Sequence, residues 1–279
     1  MLLRKFRFLL LALVAVVSVS LSLTIPVHAS SNTATVFVHG LQGSHNSTDT
    51  MISDLSQRYP GTKRVMTINV QEDGSLQVSG HYRNVKHPLV QVNFLNNSAP
   101  TTTNAQWLGK AMKYLKTKAG VSKINFVAHS AGNVAVYQLL TSHPQSIPDV
   151  QKFVILAGPF DGVLSLNDQA NKVKVNANDH YKPSVEYPAN SYYPSYQQLV
   201  KMSSAFPKNI KVLNIYGNVG DGSNSDTLVS NASALSVNYL LKGQKSSVQN
   251  RCYRSAKATH SGLHRSKTVD NWIANFLWK

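Results

Sequence analysis

Three residue types in this chain could together run acyl transfer: a serine, a histidine and an aspartate, each in a stretch able to present it. Ser130 lies in "KINFVAHSAGNVAVYQLL", where a run of β-formers stops at Ala128 and a helical pattern starts near Ala131. Ala128-His129-Ser130-Ala131-Gly132 reads small-x-Ser-x-small, the spacing of a nucleophile elbow. So sharp a strand-to-helix turn needs small residues two before and two after the serine, and Ala128 and Gly132 supply them. The serine would then stand clear of the carboxyl edge of a sheet. The backbone amide of Ala131, at the start of the new helix, would face an oxyanion formed on attack. A second donor should come from the loop after the first strand, where "FVHGLQGSHNS" places the amide of Leu41 behind His39-Gly40. His39 and His129 read as structural hydrogen-bonding residues.

A serine nucleophile needs a base, and the base needs an acid to orient it, in the chain order Ser, Asp, His for this architecture. "IKVLNIYGNVGDGSNSDTLV" offers Asp226, with Asp221 as competitor, and "ATHSGLHRSKTVDNWIANFL" offers His260 and His264 just before the final helix. Metal-assisted hydrolysis fits less well. No H-E-x-x-H occurs, and His260 and His264 form His-x-x-x-His with no carboxylate between them. The expectation is therefore a site with no metal or organic cofactor. The single cysteine, Cys252, excludes an intrachain disulfide and a thiolate cluster, and reads as a small buried hydrophobe.

These groups have to be positioned by a sheet. "ATVFVHG" reads as a first strand, followed by a Gly/Ser/Asn loop and a helix. "KRVMTINVQ" and "LQVSGHYR" flank an Asp73-Gly74 turn and read as a hairpin, with "PLVQVNFL" as a further strand. Trp107, Leu108, Ala111, Met112 and Leu115 recur at helical spacing between Ala105 and Thr117. Then follow a strand from Lys123 to Ala128, a helix from about Ala131 to Thr141, the strands "KFVILAG" and "IKVLNIYG", and a last helix from about Thr268 to Leu277. Short apolar strands alternating with helices imply an α/β fold, a mostly parallel sheet covered on both faces. The stretch from Asp161 to Lys208 is the misfit. It holds Tyr181, Tyr187, Tyr192, Tyr193 and Tyr196, and it is too long for a plain connection, so it reads as a lid or cap.

The 279 residues suit one such domain, expected over 30–279. Ahead of it, Arg4, Lys5 and Arg7 precede an apolar run from Phe8 to Val27 and then Val27-His28-Ala29, the pattern of a secretory signal cleaved after Ala29. Retention as an N-terminal anchor is the alternative, since the run approaches the ~20 residues that span a bilayer. Either way the protein is expected to be secreted or held at the cell surface. Removing the leader leaves 25 basic residues against 12 acidic, a net charge of +13. On an exported protein that sign implies electrostatic association with an anionic envelope rather than with nucleic acid, for which no module is present.

"FVHG", "AHSAG", "SDTLV" and "HSGLHRSKTV" resemble the corresponding motifs of small secreted Bacillus-type lipases. With "AGPF" and "SALSVNYLL" they resemble still more closely the cell-surface α/β hydrolases of unknown function found in lactobacilli, listeriae and staphylococci. The resemblance runs from about Thr35 to Trp278. It implies an α/β-hydrolase fold with a lid insertion over 161–208, Ser130 as nucleophile, Asp226 as orienting acid, His260 as base, and Leu41 and Ala131 as amide donors. Two positions depart from the pattern: Asn133 replaces a second glycine, expected to affect helix packing more than chemistry, and Thr227 follows Asp226 where relatives carry glycine.

The activity so implied is a serine hydrolase, esterase or lipase-like, acting as a monomer on a small-molecule ester or an acylated cell-wall component. The polar lid favours small esters over long-chain triglycerides. Peptidase or acyltransferase chemistry could use the same three residues. The rival of another class is a non-catalytic cell-surface binding protein on a hydrolase scaffold.

Overall fold

The structure is a computed structural model describing residues 33–279 apart from 84, 143–144, 174–181 and 244–247. The secretory leader and Tyr181 lie outside the described residues. Among those described, no helix is long and apolar enough to cross a membrane.

Strand β1 (Ala34–Val38) is followed by α1 (Asn46–Arg58), β2 (Thr62–Val70), β3 (Leu76–Gly80), β4 (His87–Phe94), α2 (Thr101–Thr117), β5 (Lys123–His129), α3 (Ala131–Thr141) and β6 (Asp149–Leu156). The rest comprises α4 (Tyr196–Met202), β7 (Lys211–Asn218), α5 (Asn231–Leu235), α6 (Val237–Leu240), β8 (Gln249–Arg254), α7 (His260–Leu263) and α8 (Lys267–Trp278). The eight strands form one sheet in the order β3-β2-β4-β1-β5-β6-β7-β8. Only β3 runs antiparallel, folded back on β2 through a turn in which Gly74 takes a φ of +76°.

Alternation along the central strands sends side chains to both faces. Val36 and Val38 of β1, Phe126 of β5, and Phe153 and Ile155 of β6 pack with Leu108, Met112 and Leu115 of α2 and with Val134 and Tyr137 of α3. Phe37, Val127, Val154 and Leu156 point the other way, onto Met51 and Leu55 of α1 and Val269, Ile273 and Leu277 of α8. Both faces are therefore dry, which is why the central strands read as near-continuous apolar runs.

Three readings from sequence need correction. Helix α2 starts at Thr101 rather than Ala105, because Pro100, whose ring fixes its φ at −57°, sits at its N-cap and the buried Thr101 and Asn104 belong to its first turn. Cys252 is only partly buried, because β8 is an edge strand whose polar sequence carried no strand signal. The second half of 161–208 is largely core: α4 opens on a Ser195/Gln198 capping box and buries Tyr196 and Leu199.

Candidate functional site

Parallel strands deliver their C-terminal ends to one edge of the sheet, and the strand order reverses at β1, between β4 and β5. A crevice at such a switch point is where α/β folds place ligands. Gly40 lies just past β1, Ser130 directly past β5, Asp226 in the loop after β7 and His260 at the start of α7, beyond β8.

Ser130 has φ 54° and ψ −131°, a conformation that a side-chain-bearing residue adopts only when its surroundings impose it. The surroundings here are identifiable. Its N–H donates to the Leu156 carbonyl at 2.9 Å, and its own carbonyl accepts the Asn133 N–H at 2.9 Å. The Asn133 side-chain amide donates to the carbonyls of Ser130 (3.0 Å) and Leu156 (2.9 Å). Asn133 thus ties the elbow to the end of β6, a direct effect on the nucleophile's backbone rather than the helix-packing effect expected. Close approach explains the neighbouring glycines. A methyl on Gly132 would lie 2.6 Å from the His39 carbonyl, and one on Gly40 would lie 2.6 Å from Ser130 Cβ and 3.1 Å from Ala131 N.

That contact brings the Leu41 loop against the elbow. Neither the Leu41 nor the Ala131 amide donates to a protein acceptor among the described residues, whereas the next amide, of Gln42, is spent on Asn97 O at 2.7 Å. His39 fixes the loop from beneath. Its Nε2 accepts the Phe94 N–H at 2.9 Å, so the proton is on Nδ1, 2.9 Å from the Gly40 carbonyl that accepts it. Burial holds His39 below the usual imidazole range, in keeping with a neutral ring.

On the other flank Asp226 and His260 meet. His260 Nδ1 is 2.8 Å from Asp226 Oδ2, with the carboxylate 1% and the histidine 8% exposed. Asp226 Oδ1 accepts the backbone N–H groups of Leu228 (3.0 Å) and Val229 (2.7 Å), and the His260 N–H donates to the Asp226 carbonyl at 2.6 Å. Thr227 bridges these contacts at a φ of +83°, so the position where relatives carry glycine is a left-handed one filled by a β-branched residue. Asp221 is brought to nothing in the site. It is exposed, and its carboxylate accepts the Ser223 N–H in its own loop.

The histidines behind the elbow form a stack. His129 Nε2 donates to the His260 carbonyl at 3.1 Å, and its ring centroid lies 4.6 Å from His260 and 4.8 Å from His264. His264 is buried, its Nδ1 has no hydrogen-bond partner, and burial lowers its pKa to about 4. Burial, reinforced by the other imidazoles, pushes His129 well below its usual range. Both rings are therefore neutral near pH 7, which spares a proton on His260 from adjacent positive charge. His129 is structural, as its sequence context implies. That its partner would be the candidate base was not visible there, since 131 residues separate the two.

The segment after β6 closes over the elbow. The Asp161 carboxylate accepts the Tyr187 N–H at 2.9 Å, the Tyr192 carbonyl accepts the Thr101 N–H of α2 at 2.9 Å, and the Tyr193 phenol forms a side-chain hydrogen bond with Ser130. The hydrogen bonds of the described residues include none between Ser130 Oγ and His260. No group of three or more His, Cys, Asp or Glu side chains among them converges on a metal position.

Sheet order, the elbow and the closing segment define an α/β hydrolase. The chain belongs to the family described as alpha/beta hydrolase of unknown function (DUF915), whose model matches residues 22–279. Two solved structures share its fold. A Listeria innocua protein, the product of gene lin2722, is 23% identical over 89% of this chain and 94% of that one, with a TM-score of 0.77. A "putative cell surface hydrolase from Lactobacillus plantarum WCFS1" is 19% identical over 89% and 91%, with a TM-score of 0.66. No curated protein matches the sequence.

Proposed function

We propose that the protein is a serine hydrolase that cleaves carboxylic esters through an acyl-enzyme. The observation that carries this reading is one arrangement. A strained, anchored Ser130 sits beside two unspent backbone amides, while a buried His260–Asp226 pair is packed against the residue preceding the serine. With Nδ1–H donated to Asp226, His260 presents an unprotonated Nε2, the form a general base requires. Ser130 Oγ attacks the carbonyl carbon as its proton passes to Nε2. The oxyanion is held by the Leu41 and Ala131 amides, and the same proton is then given to the leaving alcohol. Water repeats the sequence on the acyl-enzyme. Every step uses side chains and amides of this chain.

Substrate class follows from the lid. The space enclosed between Val134, Phe160, Tyr187, Tyr193 and Leu199 is about 10 Å³, less than an acyl chain of a few carbons occupies. Short acyl groups, on small alcohols or as substituents of wall polymers, match this arrangement better than long chains. A net charge of +13 without the leader would hold the enzyme near an anionic envelope, and export is part of the same reading.

The test is labelling of the chain from Ser30 onward with a fluorophosphonate, followed by peptide mass spectrometry. Attachment at Ser130, lost in Ser130→Ala and in His260→Ala but kept in His264→Ala, is the expected result. A folded, monodisperse sample that takes no label would overturn it.

A further inference from the structure

Tyr193 is the one lid side chain that hydrogen-bonds with Ser130, and the way it is held there favours a role in the reaction over that of a plug. Its backbone is pinned on several sides. Asn190 Oδ1 accepts the N–H groups of Tyr192 (2.9 Å) and Tyr193 (3.0 Å), and the Tyr193 carbonyl accepts the Asn190 N–H at 3.0 Å. The Tyr192 carbonyl caps the first turn of α2 through Thr101 N, and the Tyr196 N–H returns to the Tyr187 carbonyl at 3.1 Å. Beyond it, the Tyr196 hydroxyl donates to Ser236 O at 2.9 Å, and the Tyr137 hydroxyl of α3 donates to Leu199 O at 3.0 Å. A displaceable cover would have few ties to the scaffold; this turn is stapled to α2, α3 and α6.

The direction of approach matters as well. The loop after β4, which leads into Thr101, also accepts the Gln42 N–H through Asn97 O. The phenol is thus tied to the loops after β1 and β4, on one side of β5, whereas Asp226 and His260 come from β7 and beyond β8 on the other. That side holds the Leu41 amide. We propose that Tyr193 is a catalytic residue whose hydroxyl donates to the carbonyl oxygen of the substrate, joining the Leu41 and Ala131 amides as a third oxyanion donor. The proposal rests on the serine-hydrolase reading above.

In the step it serves, the Ser130 Oγ–carbon bond forms and the carbonyl π pair moves onto oxygen. The serine proton goes to His260 Nε2, and the phenol keeps its own. Burial raises the Tyr193 pKa far above its usual value, so it remains a neutral donor at any pH where the enzyme is folded. On substrate entry the phenol exchanges the Ser130 hydroxyl for the carbonyl oxygen bound to it.

The experiment compares wild type, Tyr193→Phe and Tyr192→Phe in p-nitrophenyl acetate hydrolysis and in the rate of fluorophosphonate labelling, with thermal melting as a fold control. Loss of one oxyanion donor costs on the order of 10²-fold in kcat. Tyr193→Phe should lose about that much in kcat and in labelling rate, with KM changed less than threefold and the melting point kept. Tyr192→Phe should behave as wild type. Equal or faster turnover in Tyr193→Phe would make the phenol a plug and overturn the proposal while leaving the serine hydrolase intact. Equal losses in both variants would make the effect a general one of the lid and also overturn it. A wild-type protein that neither hydrolyses nor labels would overturn the underlying reading, and this one with it.

Discussion

Replacing Asp226 with asparagine tests the candidate triad at its most constrained atom. The two carboxylate oxygens have different partners: Oδ1 accepts two backbone N–H groups, from Leu228 and Val229, and Oδ2 faces His260 Nδ1 at 2.8 Å. An asparagine at this site has one acceptor oxygen, and the two fixed backbone donors will claim it. Its NH₂ is then turned toward His260, where it can only donate, so Nδ1 must become the acceptor and the ring proton must move to Nε2. The imidazole would stay in place as the wrong tautomer, unable to take the proton of Ser130. A change of this kind in a Ser-His-Asp site costs about 10³- to 10⁴-fold in kcat, or roughly 4 to 5.5 kcal/mol at 1.36 kcal/mol per decade. The fold should lose far less. The backbone donors keep a partner, and the charge-assisted part of the pairing accounts for on the order of 1–3 kcal/mol of stability. The assay is p-nitrophenyl acetate turnover beside urea denaturation, with Asp221→Asn as comparator, since Asp221 bonds only within its own loop. An Asp226→Asn enzyme retaining more than a tenth of wild-type kcat would refute the tautomer argument. A large loss in Asp221→Asn would refute the assignment of the acid.

Two further predictions follow from strain and burial. Thr227 is exposed and holds a φ of +83°, which costs a non-glycine residue on the order of 1–3 kcal/mol, more than the ~0.5–1 kcal/mol that glycine adds through chain entropy. Thr227→Gly should raise stability by about 1 kcal/mol in urea denaturation, and a destabilised variant would show that the threonine is not strained. Asp161 is 4% exposed, and burial raises its carboxyl to about 7. Its charged form therefore costs stability that is absent below the unfolded value near 3.9 and fully expressed above about pH 7. Asp161→Asn, whose oxygen can still accept the Tyr187 N–H, should melt higher than wild type at pH 8. The advantage should shrink toward pH 4, and a difference independent of pH would count against the buried-charge account.

The elbow was legible in sequence because its requirements are local: small residues at two fixed offsets, a strand before and a helix after. The sheet was legible because strands buried on both faces read as apolar runs, while β8, an edge strand with the sequence QNRCYR, gave no such signal. The choice between Asp226 and Asp221 rested on resemblance, since five residues of one polar loop separate them. What distinguishes them in space is tertiary. The Asp226 backbone is locked by the Val229 carbonyl, and Gly217 of β7 lets that loop lie close, since a methyl there would come within 2.8 Å of Asp226 Cβ.

The residues that sequence reasoning passed over share one property: each acts on a partner distant in the chain or held by backbone geometry. His129 reaches the His260 carbonyl, Asn133 reaches Leu156, and Tyr193 reaches Ser130 from inside a segment whose only signal was an excess of tyrosines. Asn133 and Thr227 carry the argument furthest, because both replace a glycine of the related pattern with opposite consequences. Asn133 sits on a helix, where a side chain is cheap, and spends its amide on two carbonyls that hold the nucleophile's strained turn. Thr227 sits at positive φ, where any side chain costs, and none of the hydrogen bonds found among the described residues involves its hydroxyl. The first departure therefore contributes to the site and the second only strains it. The expected ranking is that Asn133→Gly slows fluorophosphonate labelling of Ser130 while Thr227→Gly leaves it unchanged, and the reverse order would show that the elbow is held by something other than Asn133.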